Sequence, residues 1–322
     1  MGVAGLFVSS RAGYGVAYYG GLLFFVFSIL FVMLLVKAGF DEGGEATAFD
    51  EFRGYFVGVT AFLMPATRSA GSEQIVVHSI GTVDLRDALA KGLSDFMVHP
   101  THLIILCVIY PVVGFFFARM TFGYDILPIL FPLVSGFSLI GPLAATGLYE
   151  LSRRRELGFD TFWWHVFDVR RSPSIHAIAA LGVVLAVIFF GWLFAAQEIY
   201  ELYFGGWVPN SISELALRAF TTPSGWKLIA VGCGVGFLFA VVVLTISVVS
   251  LPMLLDRHVG VVTAVRTSVR AVAANPMTMA IWGIIVGGTL VLGSLPFFVG
   301  LAIVVPVLGH STWHLYRRLV ER

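Results

Sequence analysis

The chain has 322 residues, of which 58% are hydrophobic and only 12% are charged. Because soluble domains carry about 25% charged residues, this composition excludes an ordinary water-soluble protein and indicates that lipid is the main solvent of the chain. The formal net charge of +1 is uninformative, since the placement of charge matters more in membrane proteins, and no nucleic-acid partner is expected.

Membrane-spanning helices of about 20 mostly apolar residues are predicted at seven places. A further apolar stretch, Tyr55–Ala66, is too short to span a membrane and is interpreted as an interfacial or re-entrant segment. The predicted spans, in chain order, are Tyr14–Val36, Leu103–Met120, Ile126–Tyr149, Ser174–Ala196, Trp226–Leu251, Met277–Leu292 and Pro296–Tyr316.

Lysine and arginine are distributed unevenly among the loops, and this bias predicts the orientation of the chain. The segments 84–99, 150–173 and 252–276 and the C-terminal tail carry most of the basic residues, and the opposite side carries few. Since basic loops stay in the cytoplasm, we expect a multi-pass protein of the bacterial inner membrane with a cytoplasmic C-terminus. Seven spans then place the N-terminus outside, although Arg11 favours the reverse.

An internal repeat precedes three of the spans. The segments 85–100, 158–173 and 261–276 each have the pattern of an amphipathic helix that ends in proline. When they are aligned on the proline, apolar residues recur at steps of four and three, which places them on one helical face. The matched sets are Leu89, Phe162 and Val265, then Leu93, Val166 and Val269, then Phe96, Val169 and Val272.

Similar exit segments, 147–158, 249–260 and 309–319, follow the three predicted pairs of spans. In the first and third, Tyr149 aligns with Trp313 as a predicted aromatic-belt residue, and arginines follow both. We therefore predict an all-α polytopic helix bundle with two parts. An extension, 1–79, holds one transmembrane helix and the short interfacial segment, and a six-span domain, 80–322, holds three repeats, at about 84–157, 158–259 and 260–322.

The longest segment on the predicted outer side is Gln197–Gly225. It contains a candidate short amphipathic helix, 211–220, with Ser211 or Ser213 as its N-cap. Two interpretations stay open: a contact surface for lipid or a partner, and a solvated loop whose aromatic residues anchor at the interface.

Several segments of the chain resemble a known family. The resemblance covers roughly Ile80 to Val320 and is carried by "DLRDALAKGLSDF", "PLVSGFSLIGPLAATGLYELSRRRELG", "SLPMLLDR", "NPMTMAIWGII" and "VVPVLGHSTWHLYRRL". Together they look like the DUF2189 family of predicted bacterial integral membrane proteins. The resemblance implies a membrane protein without an established activity, and some members of that family carry the label of a cytochrome c oxidase subunit.

The positions of the histidines bear on the label of a cytochrome c oxidase subunit. A haem-copper oxidase core needs several histidines deep in the membrane, whereas all eight histidines here lie in loops or near the ends of predicted spans. We therefore reject oxidase catalysis and expect no cofactor. His310 and His314 share a helical face, as metal ligands at i and i+4 must, and map with His102 and His176 to the cytoplasmic boundary. These four are candidates for a metal or haem site, but no carboxylate is spaced to join them, so no metal site is predicted.

The remaining chemistry favours a non-catalytic protein. No catalytic motif occurs, and Asp160, His165 and Asp168 do not share one clean helical face. The adjacent Trp163 and Trp164 are interpreted as a membrane-interface anchor. The central parts of the six repeat spans contain no ionisable residue, which disfavours ion-coupled transport.

Two functions are compatible with these features. We expect a structural, accessory or assembly component of a membrane complex, with a membrane-protein partner or a second copy and a basic, aromatic collar on anionic headgroups. The alternative is a passive channel or carrier for a small neutral or lipid-like solute, with a path near Pro142, Pro252 and Pro306. Glycine pairs such as Gly232/Gly236 and Gly283/Gly287 predict close helix packing.

Overall fold

A computed structural model describes residues 75–98, 114, 127–296 and 298–320. The predicted spans Tyr14–Val36 and Leu103–Met120, apart from Gly114, and the segment Tyr55–Ala66 lie outside these residues. Within the described part the chain is helical, with one isolated antiparallel pairing of Val77 with Val320, so the all-α prediction is confirmed there.

The described residues form ten α-helices and one 3-10 helix, Trp163–Arg171, which lies between α3 and α4. The α-helices are α1 (Thr82–Val98), α2 (Leu127–Ala144), α3 (Thr146–Glu156), α4 (Ile175–Phe204), α5 (Ile212–Thr221), α6 (Pro223–Ser247), α7 (Ser250–Asp256), α8 (Val261–Ala274), α9 (Pro276–Ser294) and α10 (Leu301–Leu319).

Four helical stretches of the described residues are long and apolar enough to cross a membrane. They coincide with the spans predicted at Ile126–Tyr149, Ser174–Ala196, Trp226–Leu251 and Met277–Leu292. The segment predicted as the seventh span, Pro296–Tyr316, is not among them; its helix, α10, begins at Leu301 and buries about half of its residues against other helices. The four stretches are Leu130–Glu156, Ile175–Phe204, Pro223–Asp256 and Pro276–Ser294.

Capping side chains determine where α5 and α6 begin. Ser211 is the N-cap of α5, as predicted: its Oγ accepts a hydrogen bond from the backbone N–H of Glu214 at 3.1 Å, and the Glu214 carboxylate accepts one from the N–H of Asn210 at 2.8 Å. At the start of α6, Thr222 Oγ1 accepts from the N–H of Gly225 at 3.0 Å, and Pro223 occupies the first turn. Both helices are thus fixed in place at the end of the bundle that carries the predicted outer segment.

The core between the candidate spans is built around Trp192 on α4. A Cβ atom at Gly136 of α2 would lie 2.8 Å from both the Phe189 and Trp192 rings, and one at Gly236 of α6 would lie 3.0 Å from Trp192. The Trp192 Nε1–H also donates to the carbonyl oxygen of Pro132 at 2.8 Å. Small residues therefore admit one large ring between three helices, which is the close packing that membrane helices favour.

Hydroxyl side chains within the candidate spans bond to carbonyl groups of their own helix. Thr245 Oγ1 donates to Val241 at 2.7 Å, and Thr289 Oγ1 donates to Ile285 at 2.6 Å. Ser247 and Ser294 do the same one turn back, to Val243 and Leu290. Such bonds satisfy each hydroxyl inside its own helix.

The three predicted interfacial segments differ from one another. In α8, Val265 and Val269 are buried, as the repeat predicts. The second segment is a 3-10 helix rather than an α-helix. In α1 the buried face is Leu85, Ala88 and Gly92, whereas Leu93, predicted on the packing face, is 48% exposed. The physical reason lies at Gly92, where the absence of a side chain lets α1 approach the backbone of α10 at Ser311.

Candidate functional site

The three predicted exit segments meet at one end of the bundle around Arg317 of α10. The Arg317 guanidinium lies 3.1 Å from Glu156 Oε1 at the end of α3 and 3.2 Å from Asp256 Oδ2 at the end of α7. One arginine of the third exit therefore binds a carboxylate from each of the other two.

A cavity of about 310 Å³ adjoins these ion pairs. Its inner wall includes Trp313, whose Nε1–H donates to Glu156 Oε2 at 3.2 Å. Trp313 and Tyr149 are both almost fully buried, so they pack inside the protein and do not form the aromatic belt that the sequence predicts. The lining residues are Arg153, Glu156, Leu157, Asp256, Arg257, Trp313 and Arg317.

A second cluster surrounds Asp95 of α1, whose side chain is only 8% exposed. Asp95 Oδ2 lies 2.9 Å from His314 Nε2 and accepts a hydrogen bond from Ser152 Oγ at 2.5 Å. Its other oxygen, Oδ1, accepts from Arg155 Nη1. The prediction that no carboxylate joins His310 and His314 was therefore wrong: Asp95 reaches both, with His310 Nδ1 at 4.0 Å from Oδ2.

The hydrogen bonds of this cluster define its protonation. Ser152 has one hydroxyl proton and donates it to Asp95. The His310 Nδ1 atom lies 2.8 Å from Ser152 Oγ. Because the only proton of that hydroxyl is used in the bond to Asp95, Ser152 Oγ accepts from His310 Nδ1–H. Burial raises the pKa of Asp95, but hydrogen bonds from His314 and Ser152 and the charges of both histidines outweigh it and hold that pKa below its ordinary value. Asp95 is thus an anion at neutral pH.

Two of the four histidine candidates for a metal site, His310 and His314, lie beside Asp95. His102 lies outside the described residues, and His176 is exposed at the start of α4, apart from the Asp95 cluster. Among the residues that the structure describes, no group of three or more His, Cys, Asp or Glu side chains could hold a metal ion. Because Arg155 and Ser152 occupy the oxygens of Asp95, the arrangement is suited to joining α1, α3 and α10.

The 3-10 helix carries a third group of polar side chains, centred on His165. Its Nδ1 lies 2.5 Å from Asp168 Oδ2 and its Nε2 lies 3.3 Å from Asp160 Oδ2. The sequence predicts that these three residues do not share one clean helical face, and Asp160 lies in the segment before the 3-10 helix. His165 nevertheless contacts both acids, because a 3-10 helix aligns it with Asp168, three residues further on. The hydrogen bond from His165 lowers the pKa of Asp168. Arg154 of α3 binds Asp168 as well, at 3.3 Å.

Comparison with known proteins identifies one family. Residues 130–256 match the family described as predicted integral membrane protein (DUF2189), which confirms the resemblance over that part of the range, Ile80 to Val320, inferred from the sequence. The matched residues reach from α2 to the end of α7 and include Glu156 and Asp256, whereas Asp95 and Arg317 lie outside them. No curated protein and no solved structure matches the chain.

Proposed function

We propose that this integral membrane protein is a structural, accessory or assembly component of a larger membrane complex, without catalytic activity of its own. The observation that carries the proposal is the separation of charged side chains from the central parts of the described candidate spans. Charged side chains lie toward the ends of these spans, and at one end they pair with one another around Arg317 and Asp95. The hydroxyls of the spans bond to their own helices.

This separation leaves little for a solute to bind within the described spans. A path for a polar solute needs side chains or carbonyl groups directed into it. Here the space between α2, α4 and α6 is filled by Trp192 and its neighbours. The cavity beside Arg317 lies at the charged end and not between the spans. Of the three prolines near which the sequence would place a path, Pro252 and Pro306 are buried and Pro142 is half-buried.

The outer faces of the spans offer a surface for a partner. Phe190 of α4, Phe237 of α6 and Ile284 of α9 are exposed apolar side chains. Only 17% of the most apolar part of the α9 span is buried, so most of that helix is available to lipid, to the first two predicted spans, or to a helix of another protein.

The finer architecture belongs to the same proposal. We place the chain in the bacterial inner membrane with seven spans, three repeats and a cytoplasmic C-terminus. The convergence of the three exit segments on Arg317 and its two carboxylates supports the repeats. The basic residues of that end support its cytoplasmic orientation and a contact with anionic headgroups.

Site-specific photocrosslinking in the native host tests the proposal. A photoreactive side chain at Ile284 should capture a distinct membrane protein or a second copy, because this position faces outward. The matched control is the same side chain at Trp282, which is 1% exposed and should give only products within the chain. A purified monomer that crosslinks to lipid alone from Ile284 would contradict the proposal.

Solute flux distinguishes the alternative of a passive channel or carrier. Proteoliposomes that contain the purified chain should remain as tight as empty vesicles toward small neutral solutes. Flux that rises with the amount of protein, and that changes when Trp192 is replaced, would favour the alternative.

A further inference from the structure

Five exposed aromatic side chains lie between α3 and α4, and four of them contact one another. Each is between 40% and 59% exposed. The Phe162 and Trp164 rings stack with their centroids 4.5 Å apart, and Trp163 contacts Trp164 and Phe167 edge to face at 6.2 and 6.4 Å. We call this surface the aromatic platform; it consists of Phe159, Phe162, Trp163, Trp164 and Phe167.

Contacts on the inner side of the 3-10 helix fix the position of the aromatic platform. Val166, on the inner side of the 3-10 helix, packs on Gly147 of α3 so closely that a Cβ atom there would lie 2.3 Å from Val166 Cγ1. His165 bonds to Asp160 and Asp168, and the Arg154 Nε–H donates to the Asp160 carbonyl at 2.7 Å. The backbone beneath the rings is therefore ordered before any ligand binds, which lowers the entropy lost on binding.

The aromatic platform lies in the segment that connects two candidate spans. It follows the candidate span Leu130–Glu156 and precedes the candidate span Ile175–Phe204. Both connections are short, so the rings lie at the boundary where one span ends and the next begins. Tryptophan is enriched at such boundaries because its ring is amphipathic.

Two arginines add charge at the edge of the platform. The Arg170 guanidinium lies 5.2 Å from the centroid of the Phe167 ring, and the Arg171 side chain is 86% exposed. Arg171 shares Asp168 with His165 and Arg154. Three arginines, Arg154, Arg170 and Arg171, stand against two carboxylates, Asp160 and Asp168, so the local charge is positive. A positive edge beside exposed rings is complementary to an anionic lipid surface.

We propose that the aromatic platform inserts into the boundary between headgroups and acyl chains of one leaflet, where Arg170 and Arg171 bind anionic phospholipid headgroups. The occupant of this surface is the lipid leaflet itself. The inference deepens the contact with anionic headgroups proposed above and rests on it, as does the identity of the leaflet, the cytoplasmic one. It does not depend on the accessory role in a membrane complex.

Fluorescence quenching by brominated phospholipids tests the insertion. The full chain, with its seven tryptophans, is reconstituted into phosphatidylglycerol-containing vesicles beside the double variant Trp163→Phe, Trp164→Phe, which keeps aromatic rings. The difference between their emissions reports the two platform tryptophans. We expect bromines near the headgroups to quench that difference emission at least twofold more than bromines near the bilayer centre. The matched control is Trp282→Phe, whose buried ring should give a difference emission with no such preference.

Lipid retention tests the role of the arginines. The double variant Arg170→Gln, Arg171→Gln should retain phosphatidylglycerol about fivefold less well, relative to phosphatidylethanolamine, after purification in mild detergent. Arg266→Gln on α8, which is exposed at the same end, is the matched control and should change this ratio less.

Several outcomes would overturn the inference. Difference emission that no brominated lipid quenches would show that the rings are covered by a partner protein or by a second copy. A lipid ratio in the Arg170→Gln, Arg171→Gln variant equal to that of the unchanged chain would remove the headgroup contact. If the double variant misfolds, the single variants Trp163→Phe and Trp164→Phe each give a difference emission that reports one tryptophan. Either result leaves the Ile284 crosslinking test unchanged, so the two proposals fail separately.

Discussion

The His314 Nε2 atom lies 2.9 Å from Asp95 Oδ2, although 219 residues separate the two in the chain. The contact joins α1 to α10 in a buried position. Replacement of Asp95 by Asn removes the anion that Arg155 and Ser152 also bind, and loss of one partner of a buried pair costs about 3 kcal/mol or more. We expect the free energy of unfolding to fall by that amount, measured by denaturant titration in mixed micelles.

Asp87 on the same helix provides the matched control. Its carboxylate binds Lys91 at 3.0 Å and Arg318 at 2.6 Å, but these groups are partly exposed. Exposed ion pairs contribute about 0–1 kcal/mol, so Asp87→Asn should change stability little. Equal losses in the two variants would show that burial does not set the strength of the Asp95 contacts.

Acid should destabilise the charged end of the bundle. The pKa of Asp95 is held below its ordinary value despite burial, and the pKa of Asp87 is lowered by hydrogen bonds from Arg318 and Lys91. Because the unfolded chain takes up protons first, at about pH 4, these contributions are complete above that pH and are lost as the pH falls through the folded-state values. The thermal midpoint should therefore fall steeply below about pH 4, and less steeply in Asp95→Asn. Parallel curves for the two proteins would assign the acid sensitivity to other groups.

Gly92 should be intolerant of any side chain. A Cβ atom there would lie 2.0 Å from Ser311 Oγ and 2.6 Å from the Ser311 backbone nitrogen, so α1 would have to move away from α10. We expect Gly92→Ala to cost about 1–3 kcal/mol in the same titration. In Gly232→Ala, where the added methyl meets no atom of the described residues within 4 Å, stability should stay the same or rise by up to about 1 kcal/mol. A tolerated Gly92→Ala would mean that the two helices separate freely.

The size of the Trp192 side chain should contribute more to the stability of the protein than its hydrogen bond does. Replacement by Ala leaves the space between Gly136, Gly236 and Phe239 unfilled, which costs about 3–5 kcal/mol. Replacement by Phe keeps most of the ring and loses the bond to the Pro132 carbonyl, at about 1 kcal/mol. Thermal unfolding of the two variants in one detergent measures the difference. Equal midpoints would assign the effect to the hydrogen bond.

Hydropathy was sufficient to locate the four candidate spans of the described residues. The segments predicted at Ser174–Ala196 and Trp226–Leu251 overlap the helical stretches Ile175–Phe204 and Pro223–Asp256, because continuous apolar residues in lipid have few alternatives to a helix. The N-cap of α5 at Ser211 was equally accessible, since capping depends on residues three positions apart.

The candidate site was only partly accessible from the sequence. The exit segments were recognised by their arginines, but the ion pairs between Arg317 and the carboxylates Glu156 and Asp256 depend on how α3, α7 and α10 pack. The buried face of α1 was misassigned because hydropathy favours the large Leu93, whereas close packing selects the small Ala88 and Gly92. The contact of Asp95 with His314 has no local signal at all.

The strand-like pairing of Val77 with Val320 has a mechanical consequence. The His78 N–H donates to the Leu319 carbonyl at 2.9 Å, and the Ile80 N–H donates to Asn275 Oδ1 at 2.7 Å. A pulling force on the chain before Ile75 therefore acts on the ends of α8 and α10 before it acts on α1. It is resisted there by the backbone hydrogen bond to Leu319 of α10 and by the bond to the Asn275 side chain at the end of α8.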